Sequence, residues 1–536
     1  MNEVLYMNMK RRNSVWSILL PLFYSALVGA LVGAVVVVFK LCAKVVIACS
    51  EEMYAAVAEQ WWIAPLLLAA FALIAVVSSL VYKKVPNARG GGIPTSIGIV
   101  RGLIRFHWVK NLIAVFGLSL SGFFVGVPLG TEGPSVQIGT TIGRGVTRIF
   151  AKKHPAGDRY LMTGGACAGF TTATGAPISG IMFALEEAHQ CISPMILMVA
   201  TVSVMFSKIV SDLLSPLLGV STTLFEAMVP VTLTASDLWL PALIGIVVGL
   251  FSVAFLKYYT LLQEFWSKKL RKIPTLGKIL IVFALTFVFG MLSYSNISTG
   301  HEFMVHLFRE GGIWYLLLLC LAVRSTLMIL ASSSGITGGL FLPLMSLGAL
   351  VAALLAVVLH ALGLSTEYYS IIMILGITAC LAGMMKMPVT AMVFALEALF
   401  ASSNVLPVII AALLSYVVTE LFEVHSITDS VLHNRIRDQH GDVKPAVYDG
   451  FITVKEGSFA VGKQIRDILW PNNLFVLSIK RAWQSGAVVD EHGEKYLHVG
   501  DELHVRYATY DRAATREELS SIVGEQKYAE ENVEKV

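Results

Sequence analysis

Charge is what this sequence has little of. Lys, Arg, Asp and Glu make up 14% of its 536 residues and apolar types 56%, where a soluble domain carries about 25% charge. The deficit is local. From about Ser14 to about Glu423 apolar residues run on with brief polar breaks, and only beyond that does the composition turn ordinary and charged. Paired cysteine is lacking too. Cys42, Cys49, Cys167, Cys191, Cys320 and Cys380 all lie in the apolar region, none at a zinc-like or CxxC spacing, which excludes a disulfide framework and leaves buried apolar thiols. The apolar region is equally poor in histidine, the few there including His107, His189, His301, His306 and His360. None is spaced against a serine or carboxylate as a nucleophile and its base would be, which argues against an intramembrane enzyme. HEFMVH at 301–306 sets its histidines five apart rather than four, so it is no zinc motif and reads as a chance loop sequence. Asn296-Ile297-Ser298 has the form of a glycosylation acceptor with nothing else to mark a secretory chain.

What is present is a polytopic membrane protein with a soluble tail. The first apolar run, VWSILLPLFYSALVGALVGAVVVVFKLCAKVVIA, is too long for a signal-peptide core and lacks a cleavage site, so it reads as a retained helix. Basic clusters flank the runs: Lys10–Arg12, Lys83 and Lys84 with Arg89, Arg101 with Arg105, and KKLRK at 268–272. The positive-inside rule places the N-terminus in the cytoplasm, and the tail with it if the crossings are even in number. Apolar segments fall near 14–48, 62–82, 92–104, 110–127, 133–150, 160–173, 178–189, 194–218, 238–263, 278–293, 312–331, 342–362, 368–384, 388–400, 404–422 and 427–436. Several are too short to span about 30 Å. Short apolar pieces broken by Gly and Pro mark discontinuous helices, which a bilayer tolerates only around a buried or watery site.

The chain also repeats itself. AGFTTATGAPISGIMFALEE (168–187) parallels AGMMKMPVTAMVFALEA (382–398), with Pro177 and Pro388 equally placed before FALE and a three-residue gap upstream. GTEGPSVQIG (130–139) parallels GLFLPLMSLG (339–348). The offsets are 211 and 209 residues, in order, which points to a duplicated architecture with a substrate site between the halves.

Glu132, in GTEGP, is an acid amid a long apolar stretch, where a carboxylate costs several kcal/mol, roughly 2.5–3.5 on insertion scales. Its surroundings are those of a helix start: glycines for close approach and a proline suited to the first turn. Free N–H groups and the positive end of the helix dipole attract an anion there. A glutamate can be that anion or swing aside for another, and on protonation it gives up its claim. NARGGGIPTSIG (87–98) and GITGGLFLPLMSLG (335–348) offer two more such starts. Three facing one point would replace an anion's water shell with amide dipoles and still let it leave.

The order GGGIP, GTEGP, GGLFLP resembles the signatures of the CLC family of chloride channels and proton-coupled chloride transporters, over roughly residues 14–436. The resemblance implies an all-α polytopic fold with inverted-repeat halves and broken, re-entrant helices, a homodimer with one pore per subunit, and chloride and protons as the transported ions. It implies no cofactor and no metal, and nucleic acid is not an expected partner. Glu132 matches the family's gating glutamate and Glu187, in LEE, the transporters' inner proton acceptor. Gly91, Gly92, Ile93, Thr131, Gly133, Leu340 and Phe341 match the segments lining the anion path. Glu186 reads as structural, and Glu397, its counterpart in the second half, as a packing residue. Two positions depart from the family pattern. Its central serine is here Gly91, and its pore tyrosine aligns with Thr428. Both remove a hydroxyl from the path or shorten its reach, which leaves open an uncoupled anion channel or another anion such as fluoride. The ordinary third motif, GGLFLP, favours chloride. The expectation is a Cl⁻/H⁺ antiporter of the cell membrane with both termini cytoplasmic, its transport domain at 1–437.

Residues 438–536 read as a small cytoplasmic α/β (α+β) domain. FITVKEGSFAVGKQIRDI reads as strand, turn and short helix, NNLFVLSIKRA as a strand, KYLHVGDELHVRYA as two strand pieces around Gly500-Asp501, and RAATREELSSIVG as an amphipathic helix. The last residues, EQKYAEENVEKV, read as a mobile end. The segment resembles the C-terminal regulatory domain of TrkA-type potassium-transport regulators (RCK-C), which implies dimerisation and a small cytoplasmic ligand such as cyclic di-AMP, or a dimer-stabilising module with no ligand.

Overall fold

The computed structural model describes residues 2–150, 155–225, 230–310, 312–441, 443–481, 487–488, 493–525 and 529–535. The apolar region folds into seventeen helices among these residues: α1 (Asn2–Glu59), α2 (Ala64–Lys84), α3 (Gly92–Val100), α4 (Trp108–Val125), α5 (Glu132–Phe150), α6 (Asp158–Thr174), α7 (Pro177–Phe183), α8 (Pro194–Leu217), α9 (Trp239–Lys268), α10 (Thr275–Leu292), α11 (His301–Glu310), α12 (Trp314–Ser334), α13 (Phe341–Ala361), α14 (Tyr369–Met385), α15 (Pro388–Ala398), α16 (Val405–Leu421) and α17 (Ile427–His440). Ten of the segments are long and apolar enough to cross a bilayer. The short α3 is buried along its whole length, while α7 and α15 pack against each other with Ile178 and Val389 exposed at their starts. Prolines open α7, α8 and α15, supplying a fixed φ where the missing N–H is not needed.

The duplication is a structural fact. α4 ends at Gly126 and α12 at Gly335, both left-handed (φ 82° and 77°), a conformation that favours glycine. The loops that follow meet as a two-residue ladder: Gly130 N–H donates to the Gly339 carbonyl at 2.7 Å, and Gly339 N–H donates back to Gly130 at 2.8 Å. α5 crosses α6 where Gly139 meets Gly165, and α13 crosses α14 where Gly348 meets Gly376. At each of the four a Cβ would overlap the facing carbonyl oxygen, so the helices approach at backbone distance.

The short helices cap one another. The Glu397 carboxylate, at the end of α15, accepts from the Ile178 and Ser179 amides of α7 at 2.9 and 2.8 Å. Glu186, just past α7, accepts from the Val389 and Thr390 amides of α15 at 2.9 and 2.6 Å. Each acid satisfies orphan N–H groups at the other helix's positive end. This gives the expected structural role of Glu186 and packing role of Glu397 a definite form.

Beyond α17 the chain makes a five-stranded antiparallel sheet: β1 (Ala446–Thr453), β2 (Leu474–Lys480), β3 (Ala487–Val488), β4 (Glu502–Thr509) and β5 (Ala529–Lys535), in the order β3-β2-β4-β1-β5. One helix, α18 (Arg512–Val523), packs on it. In β4 the alternation of Leu503, Val505 and Tyr507 with Glu502, His504 and Arg506 puts the first set in a core with Ile452, Ile479 and Leu519. The described strand pairs are all antiparallel, so the tail is α+β in type. Two expectations change. The first piece of KYLHVGDELHVRYA makes only a bridge, from Tyr496 to Gln464. Residues 529–535, read as a mobile end, pair with β1; their Glu-rich composition hides a strand whose backbone bonds come from a neighbour far back in the chain. Residues 526–528 of that end lie outside the described set.

Candidate functional site

Three helix starts converge. Gly92 opens α3, Glu132 opens α5, and Phe341 opens α13 behind Leu340. Pro94, Pro134 and Pro343 each stand third in their helices. The contact points are glycines: a Cβ on Gly92 would overlap the Gly133 carbonyl, and one on Gly133 would fall 2.5 Å from the Gly339 Cα. At these points the helix starts meet at backbone distance, so the dipoles of their N-terminal amides add in one place. Ile93, Gly133, Leu340 and Phe341 are buried there, and Thr131 is half-buried. Phe341 is held edge-on by Phe170 (5.3 Å) and Phe394 (5.1 Å), which fixes the α13 start against both halves. On the α3 side, Tyr82 receives the Thr337 amide at 2.9 Å and Gly90 N–H donates to Gly335 O at 3.0 Å.

Glu132 lies within this junction, fully buried. Its Oε1 accepts from the Thr131 hydroxyl at 3.1 Å, while Oε2 is buried without a hydrogen-bond partner. That oxygen lies against Gly130, beside the Leu342 and Pro343 side chains at the α13 start. The carboxyl therefore sits where an anion would sit, on another helix's positive end. A carboxylate this deep holds its charge at a cost of several kcal/mol, and protonation removes that cost.

Glu187 is buried too, 6% exposed. α7 widens into a π turn over Ala184–Ala188, a distortion common at functional sites. Arg101, at the end of α3, donates to the turn's carbonyls, Nε to Ala188 O at 2.8 Å and Nη2 to Glu187 O at 2.9 Å. It thereby joins the α3 end to the backbone that carries the acid. The Thr428 hydroxyl is buried beside the Glu187 carboxyl. Gly91 caps α3 with an open flank: a Cβ there would find its nearest neighbour at 3.5 Å. The missing serine is thus not excluded by packing.

HEFMVH lies in α11 rather than in a loop. His301 hydrogen-bonds the Leu224 carbonyl at 2.6 Å, and among the described residues no group of three His, Cys, Asp or Glu could hold a metal. Asn296 is buried at 5% exposure, out of reach of a glycan. Three further residues bear on the site: Lys40 and Arg159, which the sequence did not single out, and Arg101, which it showed only as part of a basic cluster. Lys40 donates to the carbonyls of Thr172 and Ser221. Arg159 donates to the Val100 carbonyl that ends α3 at 2.7 Å, to Leu469 and Trp470 carbonyls of the tail, and to Glu518 of α18 at 3.0 Å. A lysine inside an apolar run was the available signal for the first; the other two depend on the fold.

Residues 72–420 match the family model described as voltage gated chloride channel. The chain is 27% identical over 431 residues to the "H(+)/Cl(-) exchange transporter ClcA" of Klebsiella pneumoniae subsp. pneumoniae, covering 78% of this chain and 90% of that one. It is 28% identical over 402 residues to the protein of that name from Salmonella typhimurium, covering 73% and 84%. Among solved structures, a slow cyanobacterial Cl⁻/H⁺ antiporter superposes with TM-score 0.70 at 22% identity, covering 78% of this chain and 98% of that one. A CLC-type fluoride/proton antiporter superposes at 0.60 with 21% identity, covering 75% and 95%. Fluoride- and chloride-transporting proteins thus share this fold, which by itself does not choose the ion. With its paired halves and converging helix starts, this multi-pass membrane transporter belongs to the voltage gated chloride channel (CLC) family.

Proposed function

We propose that this protein exchanges Cl⁻ for H⁺ across the cell membrane. The observation that carries this reading is the buried Glu132 carboxyl, lying on the α13 start with one oxygen unsatisfied. Charged, it competes with the anion for the amides of the junction; protonated, it leaves them. Cl⁻ rests on the amides around Gly92–Ile93, Thr131–Gly133 and Leu340–Phe341. Glu187, near the end of α3, passes protons from the cytoplasmic side. Chloride is favoured over fluoride because GGLFLP keeps the ordinary third motif.

The transport domain is assigned to 1–437 and works as a homodimer, with both termini cytoplasmic. The tail, 438–536, acts as a regulatory module of the TrkA-C kind, with cyclic di-AMP a candidate ligand. Support for a regulatory role comes from Arg159, which bonds tail carbonyls and the last carbonyl of α3 with one side chain, and from the Arg105–Asp511 ion pair at 3.1 Å. α3 is the helix whose other end meets the anion. A second reading, an uncoupled anion path, is favoured by the short Thr428 side chain and the bare Gly91.

The test uses purified protein in liposomes, recording Cl⁻ efflux and external pH together. Exchange predicts an external pH rise with Cl⁻ exit. Glu132→Gln abolishes proton movement and keeps anion flux, and Glu187→Gln mainly removes coupling. Cl⁻ exit with no pH change in the wild type establishes the uncoupled reading; proton uptake that persists in both variants overturns the mechanism.

A further inference from the structure

α1 carries two lysines in the half that leads away from the cytoplasm, Lys40 and Lys44. Lys40 stands about 31 Å along the helix from Leu19 at 1.5 Å per residue, near the outer limit of a hydrocarbon layer about 30 Å thick. Lysine there defies the positive-inside bias, and an ionisable group in a span marks function by default. Its ammonium has an unusual pair of partners, the Thr172 carbonyl at 3.2 Å and the Ser221 carbonyl at 2.9 Å. Carbonyl dipoles hold the charge in place and leave it un-neutralised.

The packing register shows what that charge faces. α5 and α6 run antiparallel, with Gly143 against Leu161, Gly139 against Gly165, and Ser135 against Gly169. The next step of four places Thr131–Glu132 beside Thr172–Ala173. Lys40 is therefore anchored on the turn of α6 that flanks the gating acid. The side chain is half-buried. The other charges around it are engaged: Lys208 pairs with Asp212 at 2.5 Å, Lys44 donates to Gly219 O at 2.9 Å, Glu397 caps α7, and His301 bonds Leu224 O.

We infer that Lys40 is a positioning residue for exchange: its carbonyl-anchored charge attracts the Glu132 carboxylate and draws anions to the outer mouth of the path. This rests on the proposed role of Glu132. While Glu132 is charged it blocks the anion, so transport falls as pH rises through its titration. Without the lysine the acid keeps its proton to higher pH.

The experiment measures initial Cl⁻ flux in liposomes against pH and against external Cl⁻, for wild type, Lys40→Gln, Lys40→Arg, Glu132→Gln and the Lys40→Gln/Glu132→Gln double variant. Lys40→Gln moves the midpoint of the pH profile up by about one unit, the scale of one nearby charge, and raises the KM for Cl⁻. Lys40→Arg keeps the wild-type midpoint. In the Glu132→Gln background the pH effect of Lys40→Gln vanishes while the KM effect stays. A structural staple alone would lower the rate of Lys40→Gln with the midpoint unmoved, and that result overturns the inference. Should Lys40→Gln not assemble, the decision falls to Lys40→Met and Lys40→Arg on the same two readouts: a shared midpoint rejects the inference. A Glu132→Gln profile that keeps the wild-type pH dependence instead rejects the gating role itself, whatever Lys40 does.

Discussion

Gly91 and Gly92 are neighbours in sequence with opposite tolerance. A Cβ fits at Gly91, with nothing nearer than 3.5 Å, whereas at Gly92 it would overlap the Gly133 carbonyl. Gly91→Ser is expected to fold and to place a hydroxyl donor at the proposed anion site. A hydrogen bond to a charged group nets roughly 1.5 kcal/mol, so the Kd for Cl⁻ by calorimetry falls by about tenfold. Gly92→Ser is expected to yield no assembled protein on size-exclusion chromatography, because the obstacle is backbone. The motif spelling made both look alike; only the contacts tell the glycine that admits a side chain from the one that does not.

Short helices need outside help, since one of seven residues is below the length that holds itself in water. α7 and α15 obtain it from each other through Glu397 and Glu186. Replacing either acid by alanine leaves two amides uncapped at a helix start, a loss of about 1–2 kcal/mol. The expected result is a lower thermal midpoint in detergent for Glu397→Ala and Glu186→Ala, with an unchanged Cl⁻/H⁺ ratio in the molecules that remain folded. A changed ratio would assign these acids to the proton path. The repeat was legible in FALEE and FALEA, and so were nearly all the helices. That the acids exchange partners across the repeat was not legible, because a carboxylate does not carry the address of the amide it will cap.

At the scale of the whole molecule, Arg159 makes more hydrogen bonds to the tail than the other transport-helix residues described, beside Tyr160 and Arg105. Its charge partner, Glu518, is partly exposed, and such a pair contributes about 0–1 kcal/mol. Its carbonyl bonds are therefore expected to matter more. Arg159→Ala should transport like a chain truncated after His440 and show faster proteolysis of the tail, while Glu518→Ala stays near wild type. The tail carries its own pH dependence. Burial pushes the Lys463 ammonium down to about 8, so between pH 8 and the ordinary lysine range the unfolded tail binds the extra proton, and stability rises with pH. Lys463→Met removes that cost. Hydrogen exchange of β1 and β4 amides should be slower in Lys463→Met than in wild type at pH 7, and the gap should close toward pH 10. At Asp449 burial works against ionisation, but hydrogen bonds from His504 and Arg506 outweigh it and hold the carboxyl below the usual range. Its contribution is complete above the usual carboxylate range and is lost as pH falls through its lowered value.

Membrane class, the broken helices, the duplication and the three glycine-rich helix starts were determined by the sequence alone, because they rest on hydropathy, on Gly and Pro backbone limits, and on order along the chain. Tertiary structure decided what each start faces, that Glu132 occupies the α13 end, that Lys40 is anchored beside it, and that a Glu-rich terminus is the fifth strand of a sheet. These depend on residues dozens to hundreds of positions apart, and the free energy of a buried charge or an uncapped amide is set by whatever the fold brings next to it.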